Sequence, residues 1–287
     1  MNAIFKKELR VAFSGLFGYF AVAILLFFTG IFTVLINILT GSPEFSVTLS
    51  GMGLVLAVII PFLTMRSIAE ERHSRTDKLL YSLPIKMSHV VLGKFFATFA
   101  LFAIPTGISA LYPLILSFFG DVSLISAYVS ILGYLMLGGT LIAVCMLVSS
   151  LVENQVLAAV LSLTATLLLY FMDSVATLLP TSALTSFFIC VALALGIGAL
   201  MWKISKQIVL GFGVAAVLTL AITALYLLKA DLFVSLLPNV LSKLALFMQF
   251  SGFMYGYFDL AVVVLYLSLT ALFLFLTVVS MEKRRLL

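Results

Sequence analysis

Apolar residues run through this chain in long uninterrupted stretches, and a few ions stand between them. A helix needs about 20 apolar residues to cross the hydrocarbon of a bilayer. Uncharged stretches of that order lie between Arg10 and Glu44, Glu44 and Arg66, Lys94 and Asp121, Asp121 and Glu153, Glu153 and Asp173, Asp173 and Lys203, Lys206 and Lys229, and Asp259 and Glu282. A Lys, Arg or Asp at a helix centre costs about 2.5–3.5 kcal/mol on insertion scales, so each ion marks the neighbourhood of a helix end. The pattern predicts eight transmembrane helices, at 17–39, 47–65, 95–119, 123–151, 155–173, 183–202, 208–228 and 260–281. Residues 229–259 are apolar too, but Pro238, Asn239, Lys243, Gly252 and Gly256 interrupt them. An interfacial or re-entrant segment on the outer side fits that stretch better than a ninth span. Residues 1–14 place Ile4, Phe5, Leu9, Ala12 and Phe13 near one helical face and Lys6, Lys7 and Arg10 elsewhere. This is the pattern of a short amphipathic helix lying in the interface before the first span, with a positive-inside anchor as the plainer alternative. The following apolar run is too long for a secretory h-region, so it is read as a retained helix.

Composition makes the membrane reading firm. The 287 residues are 64% hydrophobic and 9% charged, with a mean hydropathy of +1.30; soluble domains are about a quarter charged. Such an apolar surplus excludes a soluble enzyme, a nucleic-acid-binding domain and a disordered scaffold. The net charge is +5, but the placement of the basic residues says more. With eight spans both termini share one side, and that side receives all 16 Lys and Arg except Lys229 and Lys243. The positive-inside rule makes it cytoplasmic. The whole of 1–287 reads as one all-α, polytopic transmembrane domain. Cys145 and Cys190 fall within predicted spans, where a free thiol is an ordinary apolar residue.

Catalysis or ion coupling inside a membrane needs ionisable groups at depth, and this chain places almost none there. Asp121, Asp173 and Asp259 are expected at outer helix ends, and Glu153 in the turn Val152-Glu153-Asn154-Gln155. No carboxylate pair, His or Cys cluster, or nucleophile–base pair is evident, so no catalytic residue, metal site or cofactor is expected. Gly93-Lys94 prompts comparison with a phosphate-binding loop, but Ser88 and Phe95 stand where Gly and Ser or Thr are required.

The remaining charge concentrates in one cytoplasmic loop, residues 66–94, RSIAEERHSRTDKLLYSLPIKMSHVVLGK. Glu71 and Arg75 are spaced as a favourable i,i+4 pair, and Leu79, Leu80 and Leu83 form an apolar stripe that Pro84 ends. Two readings fit: a docking helix for a soluble partner, or a positive-inside loop whose stripe rests on the bilayer.

These residues also carry a resemblance. Pro61-Phe62-Leu63-Thr64-Met65-Arg66, Ala69-Glu70-Glu71-Arg72, Thr76, Leu79-Leu80, Ser82, Pro84 and Gly93-Lys94 resemble the first cytoplasmic loop of ABC-2 type transporter permeases, closest to the gliding-motility and nitrous-oxide-reductase-associated group. Phe5-Lys6-Lys7-Glu8-Leu9 with Gly18-Tyr19 is similar to their N-terminal helix. Leu147 to Leu151 with Glu153-Asn154-Gln155 resembles their turn between helices four and five, and Tyr266-Leu267-Ser268 through Glu282-Lys283-Arg284-Arg285 resembles their last helix and tail. Arg75 departs from a common glycine, and Gly15 from a common proline. Relatives typically have six spans, so helices six and seven look like an inserted hairpin.

The resemblance implies an export permease without a nucleotide site of its own, in the plasma membrane of a prokaryote. It implies a separate ATP-binding-cassette subunit that binds the ATP, a second permease copy or homologue, and room for an accessory outer-side subunit. It places ATPase-coupling contacts at Glu70, Glu71, Arg72, Thr76, Leu79 and Leu80, with a smaller contact at Glu153 and Asn154. The alternatives are a self-contained channel or secondary transporter, a membrane enzyme of lipid chemistry, and a structural anchor.

Overall fold

A computed structural model describes residues 1–73, 86–179, 181–205, 208–229 and 233–285. The described residues are mostly helical, and no strand occurs among them. Their contacts divide the chain into two compact units, residues 1–170 with 246–287, and Phe171–Ala245.

In the first unit, α1 (Asn2–Ser14) ends at Gly15, whose extended backbone turns the chain into α2 (Leu16–Phe32). One wider-wound stretch, Thr33–Ile38, continues α2. Next come α3 (Phe45–Gly51), α4 (Gly53–Thr64) and the short α5 (Ala69–His73). After them α6 (Met87–Ser109) gives way at Ala110 to α7 (Leu111–Leu116). Pro113 lacks the N–H that would bond to Ser109, which accounts for the break. The long α8 (Leu124–Leu151) is followed by α9 (Gln155–Leu178). The second unit holds α10 (Ala183–Ser205), α11 (Ile208–Leu228) and α12 (Leu236–Leu244). The chain returns to the first unit through α13 (Leu246–Gln249) and α14 (Ser251–Met254), and closes with α15 (Leu260–Arg285).

Among the described residues six helical segments are long and apolar enough to cross a membrane: Leu16–Ile38, Gly53–His73, Met87–Leu116, Leu124–Leu151, Gln155–Leu178 and Leu260–Arg284. Six of the eight predicted spans fall on these. The other two, 183–202 and 208–228, fall on α10 and α11, whose continuous apolar stretches, Ala183–Gly196 and Phe212–Leu228, are shorter. Those two helices pack along each other, and Phe187, Tyr226 and Phe233 form an aromatic cluster with ring centroids 4.7–6.3 Å apart.

In the first unit α8 is the central helix, packed by α4, α6 and α15. Leu56 and Ile60 of α4, Val90 and Phe102 of α6, Leu141 and Ile142 of α8, and Tyr266 of α15 are fully buried between them. Outward faces carry exposed Phe20 and Phe27 on α2 and Leu267 and Phe275 on α15, as lipid requires. Polar ties bridge the helices at depth. Thr140 of α8 donates to the Tyr266 carbonyl at 3.3 Å. Pro61 of α4 cannot donate to the carbonyl of Ala57, and the Thr166 hydroxyl of α9 donates there instead, at 2.6 Å. A proline inside a membrane helix is tolerated when a neighbour takes over the freed carbonyl in this way.

The third span begins earlier than expected. Charge spacing set its start at residue 95, whereas α6 starts at Met87 and carries Lys94 about two turns inside the helix. The reason lies in what surrounds Lys94.

Candidate functional site

Gly93 lets α1 lie directly on α6, since a Cβ there would stand 2.9 Å from Cγ2 of Ile4. The close approach brings Glu8 of α1 over Lys94. The Lys94 ammonium, only 2% exposed, sits 2.9 Å from Oε1 of Glu71 and 3.1 Å from Oε1 of Glu8, and donates to the Ser67 carbonyl at 2.6 Å. An ammonium has three N–H donors, and here there are three acceptors. Removing such an ion from water costs several kcal/mol unless charge partners and hydrogen bonds replace the solvent, so this full set is what allows the lysine inside the helix. Lys7 completes the cluster, 3.2 Å from Glu71 and 3.4 Å from Glu8, with its side chain 59% exposed. Partial burial opposes its charge, but the carboxylates of Glu71 and Glu8 outweigh that and raise its pKa above the usual 10.5.

A second set of contacts meets at the end of α8. The last carbonyls of a helix have no intrahelical donors and carry the negative end of its dipole. Arg72 of α5, buried, donates to the carbonyl of Ser150 and, at 3.4 Å, to that of Val152. Arg284 of α15 donates to the Leu151 carbonyl at 2.9 Å and pairs with Glu153 at 3.3 Å. The backbone N–H of Ala69 donates to the Ser149 hydroxyl at 3.2 Å, and the Asn154 side chain accepts from the Val156 N–H at 2.9 Å, capping α9.

The structure thus divides the predicted contact residues. Glu71 and Arg72 are drawn inward, one onto Lys94 and the other onto the end of α8. The side chains of Glu70, Glu153 and Asn154 are exposed. Thr76, Leu79 and Leu80, with Arg75, lie outside the described residues. Lys94, Glu8, Lys7 and Arg284 stood in quoted motifs, but the sequence did not mark them as partners in a buried junction. One signal was present: Lys94 has Val90-Val91-Leu92 before it and Phe95-Phe96 after it, the surroundings of a helix interior rather than a helix end.

Nothing in this junction resembles a nucleophile with its base, and among the described residues no three His, Cys, Asp or Glu side chains gather around a common metal position. What it can do is hold α1, α5, α6, α8 and α15 together at one end of the unit. The molecule is a polytopic, all-α membrane protein. The family model described as ABC-2 family transporter protein matches residues 32–188, more than half of the chain, and the chain belongs to that family. None of the curated proteins and none of the solved structures compared with it matches. Membership makes it a multi-pass membrane subunit of an ABC transporter, a permease, and implies association with an ATP-binding-cassette subunit.

Proposed function

We propose that the chain is the permease of an ATP-driven exporter and that the segment from Arg66 to Lys94 couples it to the ATPase. The observation that carries this reading is the placement of Glu71 and Arg72. They are neighbours on a five-residue helix, yet Glu71 is tied to α1 and α6 while Arg72 is tied to the end of α8. A displacement delivered to this short helix would therefore reach three longer helices at once. Glu70 would face the ATPase, with Thr76, Leu79 and Leu80 beyond it, and Glu153 and Asn154 would form the second contact. The ATPase would hold the nucleotide, and this chain would need no cofactor.

The scattered motifs support a relationship to the gliding-motility and nitrous-oxide-reductase-associated permeases. They also support a setting in a prokaryotic plasma membrane, pairing with a second permease and an accessory outer subunit. The positive-inside pattern supports eight spans with both termini cytoplasmic, and α10 and α11 as an added hairpin within a single permease domain.

The test is extraction from native membranes in mild detergent, with identification of every stoichiometric companion. A soluble ATPase with a phosphate-binding loop is expected, captured less well by Glu70→Lys. A protein that emerges alone and moves solutes in liposomes without ATP would be a channel or secondary carrier.

A further inference from the structure

Between them, α6, α8 and α15 leave a slot of about 850 Å³. Its walls include Phe96 and Phe99 of α6, Leu132 and Gly139 of α8, and Ala271 and Phe275 of α15. Phe96 and Phe275, 43% and 65% exposed, stand where it opens toward hydrocarbon. The slot runs from Ser88 to Phe99 along α6, about 16 Å by helical rise, which is close to the hydrocarbon depth of one leaflet. Sites that take a single small molecule enclose about 300–1,000 Å³ behind mostly apolar walls with a few polar groups. A space of this size left empty would forfeit dispersion contacts along its whole wall.

The polar groups of the slot are sorted by position. Those of the interior are already engaged: the Tyr266 hydroxyl donates to the Leu246 carbonyl at 2.7 Å, and the Thr270 hydroxyl donates to the Tyr266 carbonyl at 2.7 Å. At one end stand Ser88, in the first turn of α6, and Glu282, in the last turn of α15. Neither side chain has a hydrogen-bond or ion partner among the described residues. Glu282 also sits at the negative end of the α15 dipole, where a cation is favoured. The bases that follow it in sequence do not supply one. Arg284 is held by the Leu151 carbonyl and Glu153, and Lys283 is not part of the wall.

We infer that the slot binds an amphiphile with a long alkyl tail and a protonated amine head. The tail lies along the aromatic walls, and the head meets Glu282, with the Ser88 hydroxyl as a second acceptor. An ammonium has donors and no acceptor, which suits two oxygen acceptors at the only polar end. An anionic head would face a carboxylate at the negative end of a helix, and a neutral alcohol would keep the tail contacts but lose the charge pairing. As cargo of the exporter proposed above, such a molecule would enter sideways from the bilayer. That role rests on the export reading, whereas the binding does not.

The test places the full chain in phosphatidylcholine nanodiscs with photoreactive dodecylamine, dodecanol or dodecanoate, and maps the label by peptide mass spectrometry. Label within 91–99, 132–139 and 267–279 is divided by label on α2, whose exposed Phe20 and Phe27 report the level of each probe in the bilayer. The ratio for the amine is expected to exceed that for the alcohol by about fivefold, the upper end for an exposed ion pair, with the carboxylate lowest. Glu282→Gln should bring the amine down to the alcohol, and Ala271→Trp, which fills the slot from an exposed position, should lower the ratio for all three probes. Equal ratios, a preference for the carboxylate, an amine preference that survives Glu282→Gln, or labelling unchanged by Ala271→Trp would each overturn the inference. The readout needs neither ATP nor an ATPase, so failure of the export reading would leave it unaltered.

Discussion

The two ends of α8 meet the same difficulty with different chemistry. At one end its own last carbonyls, of Ser150, Leu151 and Val152, are taken by the guanidinium groups of Arg72 and Arg284. At the other, the carbonyls of Phe253 and Met254 in and around α14 are taken by the hydroxyls of Ser130 and Ser126, at 2.8 and 2.9 Å. Gly256, at φ +75°, turns the chain away directly after these contacts. Charge is used where Lys94, Glu8 and Glu71 already form a polar environment, and neutral hydroxyls where Leu246, Phe250 and Phe253 are buried in an apolar one. An ion at the second end would have to be desolvated without partners, whereas a serine hydroxyl costs little and still satisfies a carbonyl. The polarity of the surroundings at each end of α8, more than the identity of the accepting group, selects the partner.

Removing the buried cation should disturb the charged end most. Lys94→Met leaves Glu8 and Glu71 facing each other with only the exposed Lys7 between them, and breaking a buried pair costs about 3–5 kcal/mol. Denaturant titration in mixed micelles should show that loss, and adding Glu8→Gln and Glu71→Gln should recover most of it. Arg72→Met keeps the apolar stem but removes the charge-assisted bonds to α8, for an expected loss of about 1.5–3 kcal/mol by the same titration. At the hydroxyl end, Ser130→Ala should cost about 0.6 kcal/mol, the mean for hydrogen bonds between membrane helices, and added salt should not change it. Glu153→Gln removes a pair whose carboxylate side chain is 79% exposed, so its effect should stay below about 1 kcal/mol and vanish in high salt. Smallest is the contribution of Lys7. Its raised pKa means that the stabilisation is complete below 10.5 and is lost as pH climbs through the higher folded value. Lys7→Met should flatten that alkaline loss in a melting-temperature profile and leave neutral pH almost untouched.

Most helices were legible because ions bracket the apolar stretches, and insertion energetics keep unpaired ions out of spans. The same reasoning misplaced the start of α6. It took Lys94 for a boundary, because nothing local reveals that Glu8, 86 residues earlier, and Glu71 neutralise it. The broken character of 229–259 was visible in Pro238 and the glycines. How its latter part packs was not, since the hydroxyls that hold 246–256 against α8 come from Ser126 and Ser130, two unremarked serines in an apolar run. Thr166 lies within the span predicted at 155–173. Its bond to the Ala57 carbonyl, vacated by Pro61, gives it a packing role. Glu70 and Arg72 read alike in sequence as loop charges, and only the end of α8 separates the exposed one from the buried one.

The claim that the segment after α4 and the turn after α8 move as one body can be tested by a distance. Spin labels at Glu70→Cys and Asn154→Cys, with Cys145 and Cys190 replaced by alanine, would be measured by pulsed electron resonance in the complex with its ATPase. One unchanged distance is expected with and without bound ATP, broadening only when Arg72→Ala is added. A distance that shifts on ATP binding in the otherwise native chain would contradict the rigid junction and the coupling route built on it.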